Sequence, residues 1–166
     1  MQTTSTDAQS PLARRRLLFG GTLLVLAAAA RARSSLPTDP ATPVQVWKSP
    51  SCGCCKDWIR HLEANGFRVS VSDAGNTDAR RQLGIDIRHG SCHTALVGGY
   101  AIEGHVPARE IRRLLRERPE ALGLAVPAMP IGSPGMDGPA YGPRKDPYDV
   151  LLLGKDGSAR VYQTYR

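Results

Sequence analysis

Three cysteines fall within four residues, Cys52-Gly53-Cys54-Cys55, on a boundary between two hydrophobic periods. Before it, Val44-Gln45-Val46-Trp47 alternates and is rich in β-formers, so it reads as a strand. After it, Cys55, Trp58, Ile59 and Leu62 fall at i, i+3, i+4 and i+7. That spacing is one face of a helix, expected from about Cys54 to the Asn65-Gly66 stop. Ser49-Pro50-Ser51 makes the junction a turn-rich loop. Phe67 to Val71 then alternates again and reads as a second strand.

The rest of the chain extends this pattern. Thr77 to Leu83 is a short helix candidate closed by Gly84. Thr94 to Val97 and Tyr100 to Glu103 read as a hairpin turning at Gly98-Gly99. Pro107 suits a helix start, and Ile111, Leu114 and Leu115 give that helix a buried face up to Pro119. The order β-α-β-α-β-β-α is an α/β, thioredoxin-like arrangement. Gly123 to Pro147 is rich in Gly and Pro and is expected to wrap the domain as an ordered loop. Tyr148–Leu153 and Ser158–Tyr165, joined through Gly154-Lys155-Asp156-Gly157, are expected to form a terminal hairpin. With aromatics at 5%, the core must rest on Val, Leu, Ile and Ala.

The N-terminal region follows another logic. Arg14-Arg15-Arg16 precedes Leu17 to Ala30, an uncharged run, and then Ala30-Arg31-Ala32. Basic, apolar and small-residue regions in that order are the layout of an export signal cut near Ala32. The run is too short for the ~20 residues that span a bilayer. The paired arginines also permit the twin-arginine route. The expected organisation is a signal over 1–32, a Ser/Pro/Thr-rich tether over 33–43 and one domain over 44–166. The net charge of +7 then needs correction. Taking away four arginines and Asp7 lowers 22 basic and 15 acidic residues to 18 and 14, a net of +4. That mild excess removes the case for nucleic acid as a partner. No stable membrane span is expected after cleavage, and the mature chain is expected in the periplasm.

In an exported chain thiols are paired, metal-bound or catalytic. The fourth cysteine is Cys92, followed by His93. Cys52 and Cys55 form C-x-x-C at a helix N-terminus, where the helix dipole and free N–H groups favour a thiolate. Such a thiolate attacks disulfides or binds a soft metal. Two features favour metal. Cys54 is a third thiol that a redox pair does not need. Cys92-His93 occupies the loop where thioredoxins usually carry a cis-proline, and no proline stands there. Soft sulfur ligands select Cu(I), zinc or iron–sulfur clusters. Four thiols and an imidazole exceed the needs of one Cu(I), so a thiolate-bridged multi-copper cluster fits Cys52, Cys54, Cys55, Cys92 and His93. The alternatives are a thiol–disulfide oxidoreductase using Cys52 and Cys55, a zinc-stabilised module, and a structural Cys52–Cys92 disulfide.

Several of these segments resemble one family. They are Lys48-Ser49-Pro50-Ser51-Cys52-Gly53-Cys54-Cys55-Lys56, Cys92-His93-Thr94, Glu103-Gly104-His105-Val106-Pro107 and Gly123-Leu124-Ala125-Val126-Pro127 through Met136. They are similar to the CopG-type family of exported, thioredoxin-like metal-binding proteins, many of them first described as a domain of unknown function. The resemblance covers about Val44 to Tyr165. It implies a periplasmic role in copper homeostasis or resistance, with copper ions bound and passed to an exporter or another periplasmic copper protein. It leaves open whether the chain also performs copper or thiol–disulfide redox chemistry. Further ligand candidates are His105, Met129 and Met136, since thioethers also suit Cu(I). His61 is expected to face solvent, and His89 sits in a loop. Arg112, Arg113, Arg116 and Arg118 are expected to form a solvated helix face.

Overall fold

The computed structural model describes residues 41–166. The expected export signal and the tether up to residue 40 lie outside the described residues. The chain runs β1 (Thr42–Lys48), α1 (Gly53–Ala64), β2 (Phe67–Ser72), α2 (Thr77–Gln82), β3 (His93–Val97), β4 (Tyr100–Glu103), α3 (Ala108–Glu117), β5 (Gly123–Ala125), β6 (Tyr148–Leu153) and β7 (Ala159–Tyr165). Short 3₁₀ turns lie at Ile87–His89 and Pro139–Tyr141. No helix among the described residues is long and apolar enough to cross a membrane.

All seven strands form one sheet in the order β2-β1-β3-β4-β5-β6-β7. β1 pairs in parallel with β2, and β4 with β5; the other pairs are antiparallel. The expected helix face is the buried one: Cys55, Trp58, Ile59 and Leu62 all point inward. Trp58, Ile59 and Leu62 pack with Ile111 and Leu114 of α3 and with Val44, Val46, Ala95, Val97, Ile102, Leu124 and Leu152 of the sheet. Burying each large apolar side chain there is worth about 1.5–3 kcal/mol. A smaller cluster forms from Ala101, Ala125 and Leu153 with Leu83, Ile85 and Leu122. Adjacent strand residues thus feed different clusters, as a period of two requires.

Three expectations are corrected. The Gly123–Pro147 wrap begins as a strand, because Gly123–Ala125 pairs with both β4 and β6 and joins the terminal hairpin to the main sheet. Three residues carry no readable period, and their extended form depends on partners on both sides. His61 is not a solvent residue: its Nε2 accepts the Ala108 backbone N–H at 3.1 Å and so caps the start of α3. Of the arginines expected on a solvated face, Arg112 is exposed but Arg113 is half-buried. The guanidinium of Arg113 lies 4.1 Å from the centre of the Tyr162 ring, and those of Arg109 and Arg112 lie 5.1 Å from Tyr165 and Phe67. These stacked contacts hold both edge strands against the helix. Arg116 and Arg118 are exposed as expected.

Candidate metal centre

The sheet register brings the two cysteine segments together. β1 ends at Lys48, whose Cα partner across the antiparallel ladder is His93. The chain leaving β1 makes the cysteine turn and enters α1, while the chain entering β3 carries Cys92. Cys52 takes the N-cap position of α1, and Cys54 and Cys55 fill its first turn. Cys52 and Cys55 are joined by a disulfide with their Cα atoms 5.4 Å apart. This replaces the Cys52–Cys92 pairing considered from sequence. Cys54 and Cys92 are free thiols.

The sulfurs converge. Cys54 Sγ lies 3.5 Å from Cys52 Sγ and 3.8 Å from Cys92 Sγ. Cys92 Sγ lies 3.3 Å from His93 Nδ1 and 3.2 Å from His105 Nε2. The ligand atoms of Cys52, Cys54, Cys55 and Cys92 all fall within 4.8 Å of one another, and so do those of Cys92, His93 and His105. Cys92 belongs to both groups and links the sulfur cluster to the imidazole pair.

Both rings are fully buried. His105 Nδ1 lies 2.8 Å from the Pro134 carbonyl, an acceptor that holds the proton on Nδ1 and leaves Nε2 with its lone pair toward Cys92. His93 Nε2 is buried with no hydrogen-bond partner. The nitrogen beside the Cys92 sulfur is the other one, Nδ1, so the ring offers one nitrogen to the sulfur cluster while its second is left unpaired. Trp58 covers the site, with its ring centre 4.2 Å from that of His93 and its indole N–H donating to the Val106 carbonyl at 2.9 Å. Burial, with a smaller push from His105, holds His93 well below the ordinary imidazole range. Burial also lowers His105, against opposing pulls from the Pro134 carbonyl and Asp137. The Cys92 thiol is pushed up to about 12, first by burial and then by the Cys54 thiol beside it. At neutral pH the pocket therefore holds neutral rings and a protonated Cys92. A metal must displace that proton on binding.

The loop after β5 closes the site. Gly135 has φ +85, and a Cβ there would stand 2.6 Å from Trp58 N and 2.7 Å from the Cys54 carbonyl. Only glycine lets the loop rest on the start of α1. Met136, next in sequence, is buried. Met129 is different: it is 48% exposed and lines a groove with Pro130, Asp146, Tyr148 and Asp149. His89 is at the surface, where Arg88 Nε donates to its ring at 3.1 Å. Sequence reasoning gave no weight to Glu103 and Arg80, a buried ion pair that grips the Cys92 loop. The available signal was a carboxylate in a strand of otherwise apolar residues with no evident partner nearby in sequence.

A solved structure described as "Copper resistance protein copG- Form 2" is 46% identical to this chain, covers 77% of it, is itself covered over 100% of its length and superposes with a TM-score of 0.70. The chain belongs to the CopG family. A second structure, "Copper resistance protein copG- Form 1", is also 46% identical, with coverage of 76% and 98% and a TM-score of 0.69. The family described as "Protein of unknown function, DUF411" matches residues 89–136. That span holds Cys92, His93, His105 and Met136 and stops short of the CGCC turn. No curated protein matches the chain. For a CopG family member, the mixed α/β fold with a seven-stranded sheet and the Cys/His cluster fit a copper-related role.

Proposed function

We propose that this chain is an exported, thioredoxin-like protein that binds Cu(I) in copper resistance, with copper as its cargo. The observation that carries this reading is the convergence of four sulfurs and two imidazoles from segments 37 or more residues apart. Cys52, Cys54, Cys55, Cys92 and His93 would hold the ion or a small thiolate-bridged cluster. His105 joins them, since its free nitrogen faces Cys92. Met136, buried next to Gly135 in the loop that seats on α1, is a further candidate ligand; exposed Met129 suits capture at the surface better than binding in the cluster. Cys52 and Cys55 can ligate only after an external thiol supplies two electrons and two protons to open their bridge. The signal over 1–32 would deliver the domain to the periplasm, where an exporter or a second copper protein would exchange the ion.

The test is Cu(I) stoichiometry of the purified, reduced protein by anaerobic titration. More than one ion per chain is expected, falling sharply in Cys92→Ser and in the Cys52→Ser, Cys55→Ser double variant. Background binding in the wild type would overturn the proposal.

The Cys52–Cys55 bridge at a helix start also supports a second reading, a thiol–disulfide oxidoreductase with Cys52 as nucleophile and Cys55 as resolving thiol. Reduction of a disulfide substrate such as insulin, abolished by Cys52→Ser, would favour it. No turnover alongside tight Cu(I) binding would leave the copper reading in place.

A further inference from the structure

Glu103 closes β4 with a carboxylate that is fully buried. Such a group persists only where its lone pairs are filled. Its Oε1 accepts from Arg80 Nε at 2.8 Å and from the Ser91 backbone N–H at 2.7 Å. Its Oε2 accepts from the Thr94 hydroxyl at 2.6 Å. Arg80 Nη2 turns back to donate to the Ser91 carbonyl at 2.5 Å. Asn76 Nδ2 donates to that same carbonyl and to Thr94 Oγ1, both at 3.2 Å. One ion pair therefore holds the Ser91 peptide at its N–H and its C=O, and holds Thr94 by its side chain. The residues between these anchors are Cys92 and His93.

Two further contacts tighten the grip. Gly104, with φ +70, lies so close to Ser91 that a Cβ would stand 2.6 Å from that side chain. The Ser91 hydroxyl donates to the Ala128 carbonyl from the other side. Strand alternation does the rest. With Thr94 turned to Glu103 and Arg80, His93 must turn to the opposite face, against Trp58 and His105.

We infer that Glu103, acting through Arg80, Ser91 and Thr94, is the positioning residue that sets Cys92 and His93 against the CGCC turn. This rests on the copper reading above for the purpose of the positioning, but the geometry stands without it. An apolar pair of similar volume would fill this space as stably. Directional bonds to both ends of a two-residue segment fix where its side chains point, as outer hydrogen bonds do for metal ligands generally.

The test compares the wild type with Glu103→Ala, Glu103→Gln and Thr94→Val by two measurements. The first uses metal-free protein with the Cys52–Cys55 bridge intact and follows iodoacetamide alkylation of Cys92 by peptide mass spectrometry. The second uses reduced protein and measures Cu(I) affinity against a chromophoric chelator, together with the near-ultraviolet Cu–thiolate band. Glu103→Ala should speed Cys92 alkylation several-fold, weaken Cu(I) binding by about 10–100-fold and shift the band. Glu103→Gln keeps an acceptor for Ser91 and Arg80 and should recover most of the loss. Thr94→Val should fall between them. If Glu103→Ala does not fold, Thr94→Val against Glu103→Gln carries the test. Wild-type Cys92 reactivity and Cu(I) affinity in Thr94→Val and in any folded Glu103→Ala would overturn the inference. A Gln variant as impaired as Ala would do the same, since charge alone would then matter. If the wild type binds no Cu(I), the functional reading fails while Cys92 reactivity still decides the positioning role.

Discussion

Replacing Gly135 by alanine tests how the loop after β5 is seated. Its φ of +85 lies where an L side chain costs about 1–2 kcal/mol. The new Cβ would also stand 2.6 Å from Trp58 N, 2.7 Å from Cys54 O and 3.1 Å from Trp58 Cα. All three are backbone atoms of α1, which cannot rotate aside. Overpacking of this kind costs about 1–3 kcal/mol. The expected destabilisation is therefore about 2–5 kcal/mol, a large part of the stability of an ordinary domain. Gly138 is the matched control, with φ −76 and open space for 4 Å around the point a Cβ would occupy. Gly138→Ala should change stability by no more than about 0.5 kcal/mol. The assay is urea unfolding of the metal-free protein with the Cys52–Cys55 bridge intact. A Gly135→Ala variant within about 0.5 kcal/mol of the control would refute the reasoning. It would mean that the loop does not rest on α1, and the Pro134 carbonyl would lose its claim to fix the His105 tautomer.

Acid should destabilise the metal-free domain. His93 and His105 have folded-state values below the ordinary imidazole value, chiefly through burial, so the unfolded chain binds more protons. Their contribution is complete above about pH 6.5 and is lost as pH falls, by at most about 1.4 kcal/mol per pH unit for each ring; equal urea midpoints at pH 7.5 and pH 5.5 would contradict this. Trp58→Phe removes the donor to the Val106 carbonyl and should cost about 1–3 kcal/mol, read as a lower thermal midpoint. Reducing the Cys52–Cys55 bridge opens a very short loop and should cost about 2 kcal/mol, leaving the far-ultraviolet circular dichroism of a folded domain.

What the sequence made legible was local. The face of α1 could be read because Cys55, Trp58, Ile59 and Leu62 repeat at helical spacing, and the same residues are buried. The β3–β4 hairpin could be read from two short, mostly apolar runs around the Gly98-Gly99 turn, and the strand Tyr100–Glu103 has the bounds expected. β5 could not be read, because three residues in a Gly/Pro-rich stretch become a strand only through β4 and β6. His61 escaped for the same reason: the donor it caps is 47 residues away. The sequence makes His105 a ligand candidate, but its aim at Cys92 depends on Pro134, 29 residues further on. The Glu103–Arg80 pair shows the limit most clearly, since each residue alone is an ordinary charged side chain.

The convergence of the cysteine segments follows from the strand ladder, and the ladder follows from plain hydrophobic patterning. Val44 and Val46 on β1 face Val97 and Ala95 on β3, and all four are buried in one core. That pairing fixes Lys48 opposite His93 and Trp47 opposite Thr94. A slip of one residue would exchange the valines for Gln45 and Trp47 on the core face, and the cost of exposing the apolar set forbids it. The same slip would turn His93 away from Trp58 and His105 and break the alignment of Cys92 with the turn at the start of α1. The residues that choose the register are thus aliphatic and carry no chemistry of their own. They nevertheless decide which side of the sheet the ligands occupy, and the loops then set only the last few ångströms.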